Sequence, residues 1–317
     1  MKKLILIAAC AAISTGLCAQ TKPAESKSAA DSLLNSMDAG NTKAEPVIAT
    51  FKSTRLILGA TTETVKKNNL NFLVIHRFGD IGGSEGGGKT LFGLDNSSDI
   101  YIGFEYGLSD NLDIDFGRSK YNQQVDLGLK YAMLHQTSDD ATPFAITLLG
   151  KTGVKAYTAN QGEFPTFADR LDYVAQAIIA RKFSSNFSLQ LTPTFVRHNS
   201  PFPFLAGNNR GFFALGAAGR LKVTKRMGIV VDYAHPFSSF RDKATGDNAF
   251  YDPLGIGIEI ETGGHVFTIV FSNTKAISEA SYLAGSQSDW GKGQFRLGFT
   301  ISRMFSFNKK AKEGKTY

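Results

Sequence analysis

Beyond residue 18 the chain has no cysteine; its two thiols are Cys10 and Cys18. A chain shorn of its first nineteen residues can form no disulfide, hold no thiolate-bound zinc and use no cysteine nucleophile. Tryptophan is almost as scarce, at one residue in 317. After Leu17 no apolar run approaches the ~20 residues that a helix needs to span a bilayer, which excludes a helical membrane protein. A strong charge of one sign is lacking too. The chain has 35 Lys+Arg against 28 Asp+Glu, and without Lys2 and Lys3 the balance is 33 against 28, or +5. That surplus is too mild to argue for nucleic acid.

What is present begins with an address. Met1-Lys2-Lys3, the apolar run Leu4–Leu17 and Cys18-Ala19-Gln20 have the layout of a secretory signal, with cleavage expected after Ala19. Leu17 stands where a lipoprotein signal requires a small residue, and Cys10 comes too early, so no lipid anchor is expected. Residues 20–48 are polar and alanine-rich and read as a disordered periplasmic tether. Glycine (32) and phenylalanine (25) are abundant, the composition of a β architecture.

From Leu70 onward apolar and polar residues alternate, the pattern of strands with two unlike faces. In "QFRLGFTISRMFSF", Phe295, Leu297, Phe299, Ile301, Phe305 and Phe307 share one face, broken only by Arg303. Twelve such segments are expected: 70–78, 98–108, 111–119, 124–134, 144–152, 171–183, 186–197, 210–223, 226–234, 254–261, 265–273 and 294–307. Most approach the ~9–11 residues of a tilted membrane-crossing strand, and an even number suits an exported antiparallel barrel. Pro193 lacks the amide hydrogen of a ladder residue, so a bulge or local break is expected there.

Connection lengths alternate as well. Ser109-Asp110, 184–185, 224–225 and 262–264 are tight, whereas 79–97, 153–170, 198–209, 235–253 and 274–293 are long. The loops at 119–123 and 135–143 are respectively short and long for their sides. Outer-membrane barrels combine short periplasmic turns with longer external loops, which puts both termini in the periplasm. In hydrocarbon every backbone polar group must be paired within the protein, so the strands must close. The expectation is an all-β, antiparallel transmembrane β-barrel of about 12 strands over 70–307, followed by a polar tail, 308–317.

The apolar face would then meet lipid and the polar face the lumen. Candidate lumen-lining charges are Glu105, Asp115, Asp126, Lys130, Lys151, Asp172, Arg220, Lys222, Asp232, Glu259, Glu261 and Arg296. Both signs occur, so a salt-bridged interior and a wet, ion-selective pore stay open as readings. Residues 49–69, and within them "ATFKSTRLILGATTETV" (49–65), fit neither tether nor strand. They are a candidate plug or a segment at the periplasmic rim.

"GGSEGGGKT" (82–90) contains the phosphate-loop pattern, with Gly83 opening it and Gly88-Lys89-Thr90 closing it. A working phosphate loop needs a helix whose N-terminus faces the phosphates, and the following "LFGLDNSSDIYIGF" reads as a turn and a strand. The match is taken as coincidence, and no nucleotide is expected. The five histidines, His76, His135, His198, His235 and His265, have no metal-ligand spacing, so neither metal nor other cofactor is expected. A lipid-acting barrel enzyme would need Ser, His and an acid or amide brought together at the membrane rim; no residue is assigned such a role.

Several segments together resemble a known family: "TFKSTRLI" (50–57), "HRFGD" (76–80), "LFGLDNSSDIYIGFEYGLSDNLDIDFGRS" (91–119), "ETGGHVFTIVFSN" (261–273) and "DWGKGQFRLGFTISRMF" (289–305). They look like an uncharacterised outer-membrane β-barrel family of the phylum Bacteroidota, domain of unknown function number 5777. The resemblance runs from about residue 50 to residue 307. It implies a barrel and an outer-membrane address, and no catalytic or ligand residue.

The expected function is non-enzymatic, a passive channel for small solutes or a structural scaffold. The alternatives are a barrel enzyme acting on lipid and a docking partner for periplasmic proteins. Expected partners are outer-membrane lipid and the barrel-insertion machinery, which would read Phe305 and Phe307 or the terminal Tyr317.

Overall fold

Successive side chains on a strand point to opposite faces, and each of the twelve alternating stretches becomes one. The computed structural model describes residues 44–158, 163–199 and 210–308. The strands are β1 (Asn69–Asp80), β2 (Ser97–Gly107), β3 (Leu112–Ser119), β4 (Gln124–Leu134), β5 (Ala145–Lys155), β6 (Leu171–Lys182), β7 (Phe187–His198), β8 (Gly211–Lys222), β9 (Met227–Phe237), β10 (Leu254–Thr262), β11 (His265–Ser272) and β12 (Arg296–Ser306). Each pairs antiparallel with its neighbours in sequence, and β12 returns to β1 in register Asn69↔Ser306, closing the barrel. Closure leaves no unpaired sheet edge.

Every strand boundary lies within three residues of its expected place. The largest differences are at β5 and β9, which run on to Lys155 and Phe237. His235-Pro236 reads as the start of a loop in sequence, yet it continues the pleat. At Pro193 the pairing of β6 with β7 is interrupted between Gln176↔Thr194 and Ile179↔Leu191, while the register is the same on both sides. The missing amide hydrogen therefore opens a gap in the ladder and makes no bulge.

The barrel is apolar outside and polar inside. On β4, Leu127 and Leu129 are 49% and 54% exposed, whereas Asp126 and Lys130 on either side of them are 2% and 4% exposed. A water-soluble fold buries the opposite set; here the outward belt of Leu, Ile, Val and Phe is the surface a barrel offers to lipid. No described helix is long and apolar enough to cross a membrane; the strands do so.

The connections β2–β3, β6–β7, β8–β9 and β10–β11 are tight and share one end of the barrel, where β1 begins and β12 ends. The opposite end carries the longest connections; β3–β4 there is short, and β4–β5 at the tight-turn end is long for its side. Among the described residues, two of the longest connections contain short α-helices, α1 (Ser239–Lys243) and α2 (Glu279–Gly285). The expected signal peptide, residues 20–43 of the expected tether and residues 309–317 of the expected tail lie outside the described residues. So do 159–162 and 200–209, each within a long connection.

Candidate functional site

The lumen is occupied from both ends. From the end bearing the tight turns, residues 49–65 enter as a small hairpin. Arg55 bridges Ala60, Leu56 N–H donates to Gly59 O at 3.0 Å, and Thr61 N–H donates to Thr54 O at 2.9 Å. The hairpin carries an apolar tip, Leu56-Ile57-Leu58, each residue 3% exposed or less. From the other end, the β11–β12 connection dips inward, and α2 lies against β6, β7 and β9.

One wall of the barrel is shaped to receive these inserts. Inward residues Val174, Ala180, Val196, Ala214, Ala218, Val230 and Ala234 form one apolar cluster with Phe51, Leu56, Ile57, Leu58, Tyr282 and Leu283. Burying each large apolar side chain there contributes about 1.5–3 kcal/mol. At Gly255 of β10 an added Cβ would stand 2.4 Å from Ile57 Cγ2, so the hairpin tip fits only because that position has no side chain.

Hydrogen bonds fix the hairpin to the surrounding strands. Asp232 (β9) accepts Leu58 N–H at 2.8 Å and Gly59 N–H at 3.3 Å, and Asp113 (β3) accepts Val65 N–H at 2.8 Å. Arg77 (β1) donates to Ile57 O at 2.8 Å, Gln190 (β7) to Ala60 O at 2.9 Å, and Thr147 (β5) to Thr62 O at 3.0 Å. Lys130 (β4) donates to Thr54 O at 3.3 Å and to Glu63 O. An unpaired buried backbone group costs roughly 1–3 kcal/mol, so these bonds make an irregular segment tolerable inside the barrel.

The two inserts are joined by charge. Arg55 and Glu279 pair at 2.7 Å, and Arg55 also donates to Leu58 O at 2.6 Å and Ile277 O at 2.7 Å. Lys151 (β5) lies 3.5 Å from Glu279 and 3.5 Å from Asp115 (β3), extending the pair to the wall. Burial pushes the Glu279 carboxyl up, but Arg55 and Lys151 outweigh it and hold the group below its ordinary value. Gln124 (β4) donates to Ser278 Oγ at 2.7 Å and accepts from Ser281 Oγ at 3.1 Å, and Asp99 (β2) accepts Ile277 N–H at 2.9 Å. From the β9–β10 connection, Arg241 donates to Leu283 O at 2.8 Å and Tyr251 O at 2.9 Å. Burial draws its guanidinium down to about 10 against the pull of Asp252, so it stays cationic at neutral pH.

The twelve charges singled out in the sequence fall into several groups. Asp115, Lys151, Lys130 and Asp232 hold the inserts as described. Asp126 is buried beside them and accepts Gln124 Nε2 at 2.7 Å. Arg220 and Glu259 pair at 2.7 Å, and Asp172 holds Lys155 at 3.0 Å and His198 at 2.6 Å. Glu105 accepts Asn71 Nδ2 at 2.9 Å and is half-buried. Glu261 pairs with Lys52 at 3.0 Å, and Lys222 is half-buried at the tight-turn end. Arg296 pairs with Asp80 at the long-loop end. The sequence reading passed over Asp99, Asp113 and Lys155, although all three share the inward phase of their strands. It had no signal for Arg55 or Glu279, which lie outside any alternating segment.

In the glycine-rich connection, Gly88–Thr90 makes one 3-10 turn, and Lys89 donates to Ser84 O. Residues 82–86 spell Gly-x-Ser-x-Gly, contrary to the expectation that no serine sits in that pattern. A nucleophile elbow joins a strand to a helix, whereas Ser84 is exposed in a loop between two strands of one barrel.

A small cavity of about 20 Å³ lies beside the hairpin, lined by Gly59, Gln176, Gln190, Thr192, Asp232 and Tyr282. A single water needs roughly 10–15 Å³ on this measure. A larger cleft of about 210 Å³ opens at the long-loop end, beside Asp80, Glu85, Tyr121, Lys275 and Arg296.

The family model described as a membrane bound beta barrel domain (DUF5777) matches residues 51–305. Among solved structures, the chain is similar to an outer membrane channel from Pseudomonas putida F1, at 12% identity and TM-score 0.47, over 77% of this chain and 98% of that one. It is also similar to the NanC porin, at 7% identity and TM-score 0.46, over 75% and 99% of the two chains. The KdgM porin matches at 6% identity and TM-score 0.43, over 76% and 99%. No curated protein matches the chain.

Proposed function

Because the chain belongs to the membrane-bound β-barrel domain family, we propose that it is an outer-membrane channel whose resting state is shut by its own two inserts. The supporting observation is the meeting of hairpin 49–65 with the β11–β12 connection at Arg55–Glu279 inside the barrel. In this reading the tight turns and both chain ends face the periplasm and the long connections face outward. The twelve charges line a passage that is wetted when an insert withdraws.

The polarity of the contact favours a removable seal over a permanent filling. Desolvating two charges costs several kcal/mol, and apolar side chains of similar volume would often fill the same space with equal or greater stability. The β3–β5 side of the lumen, which carries Asp115, Asp126, Lys130 and Lys151, can be rehydrated when an insert leaves, whereas a lumen apolar all round would dewet; the apolar patch lies mainly on β6–β9. Solute passage, with no catalytic step, is the function this arrangement serves.

Liposome swelling tests the reading. Liposomes carrying the full chain should admit small neutral sugars slowly, and liposomes carrying the chain without residues 49–65 should admit them quickly. Equal impermeability of both folded, inserted proteins would replace the channel with a structural scaffold.

A further inference from the structure

We propose that the cleft at the long-loop end is a binding site for a small zwitterion, a molecule bearing one ammonium and one carboxylate on a compact frame. Its volume is about 210 Å³. That space suits a solute of a few heavy atoms and falls short of the usual drug-sized pocket.

The chemistry of the lining sets the class of ligand. Arg296 is fully buried at the back of the cleft, and its guanidinium is held by Asp80, Ser98 Oγ at 3.2 Å, Asn273 O at 2.9 Å and Ser288 Oγ at 3.0 Å. It is a fixed post with its bonds committed. Lys275 and Glu85 differ: both line the cleft, both are exposed, and neither forms an ion pair among the described residues. The cleft thus offers one ammonium and one carboxylate outside any ion pair, with Asp80 within electrostatic reach of both and the hydroxyls of Ser98 and Tyr121 beside them. A zwitterion answers both charges at once, whereas a simple anion or cation answers one and is repelled by the other.

The position of the cleft gives an occupant leverage on the lumen. Lys275 precedes Ile277, whose N–H is held by Asp99, and Glu279, which pairs with Arg55. Arg296 grips Asn273 and Ser288, the two ends of the same inward-dipping segment. Binding in the cleft stands without the channel reading; its role as the first station of a permeating solute rests on that reading.

The only tryptophan, Trp290, lies in this connection and stacks on Phe295 with ring centroids 4.5 Å apart, so its emission reports a rearrangement of the β11–β12 connection. The full chain in detergent micelles is titrated with L-alanine, acetate and methylammonium, following Trp290 emission and heat of binding together. The expected result is saturable binding of L-alanine by either signal, at least tenfold weaker in Lys275→Ala and in Glu85→Ala, with no saturation by acetate or methylammonium over the same range. Both substitutions are at exposed side chains, and a retained β circular-dichroism spectrum confirms folding. Absence of saturable L-alanine binding in both signals overturns the proposal. So does acetate binding as tightly as L-alanine, which makes the cleft a plain anion site, and so does wild-type affinity in both variants. None of these outcomes depends on a pore, so failure here and failure of the swelling test are separate results.

Discussion

Arg55 and Glu279 are 224 positions apart in sequence and meet at 2.7 Å inside the barrel, each almost wholly removed from solvent. One sits on a hairpin that enters past the tight turns, the other on a connection that enters from the opposite end. The contact couples the two ends of the molecule through its interior, and much of the chain's behaviour should depend on it.

Glu279→Ala should loosen the hairpin. Losing one partner of a buried ion pair costs about 3–5 kcal/mol, softened here by the two carbonyls that Arg55 retains. Thr62 is buried with its hydroxyl unbonded among the described residues, a site where cysteine is a mild change. Maleimide labelling of Thr62→Cys should accelerate at least about tenfold when Glu279→Ala is added, since 1.4 kcal/mol is already a factor of ten. An unchanged labelling rate would remove the ion pair from the account.

Acid should have the same effect as that substitution. The folded-state value of Glu279 lies below its ordinary one, with Arg55 and Lys151 outweighing burial. A depressed carboxyl contributes stability that is complete above the unfolded value, about 4.3 for Glu, and is lost as pH falls through the folded value. Labelling of Thr62→Cys with an acid-tolerant thiol reagent should therefore be flat from neutral pH to about pH 5 and rise below it. A rise that begins near neutrality would point to another group.

Gly255→Ala should unseat the hairpin tip while sparing the strands. The new methyl would stand 2.4 Å from Ile57 Cγ2, and overpacking of this kind costs about 1–3 kcal/mol. The chain should keep its β spectrum and show faster labelling at Thr62→Cys. Loss of the barrel itself would mean that the tip is integral to folding.

Leu129→Arg tests which solvent the outer face meets. Leu129 is 54% exposed, and a surface substitution in a soluble protein usually stays within about 0.5 kcal/mol. An arginine facing the bilayer midplane costs about 2–4 kcal/mol. Urea titration of folding into lipid vesicles should show the larger loss.

The strands were legible because period-two alternation survives without any tertiary knowledge. Phe187, Leu189 and Leu191 alternating with Ser188, Gln190 and Thr192 mark both faces of β7 at once, and the parity of connection lengths orders the strands into a barrel. The lumen contents were less legible. Hairpin 49–65 is irregular, held by wall residues such as Asp232 and Arg77 that lie far from it in sequence, so no local period betrays it. The apolar cluster inside the barrel was hidden for another reason: Ala214, Ala218 and Ala234 are too small to look like core until Leu56, Ile57 and Leu58 are placed against them. Glu279 lay in a stretch that reads as a long external connection and in fact turns inward.

The central claim is that the barrel is shut by its own inserts, and single-channel recording in a planar bilayer tests it most directly. The account predicts long silent periods from the inserted full chain and frequent, salt-dependent conductance steps from the chain lacking residues 49–65. Steady open conductance from the full chain, unchanged by that deletion, would contradict it.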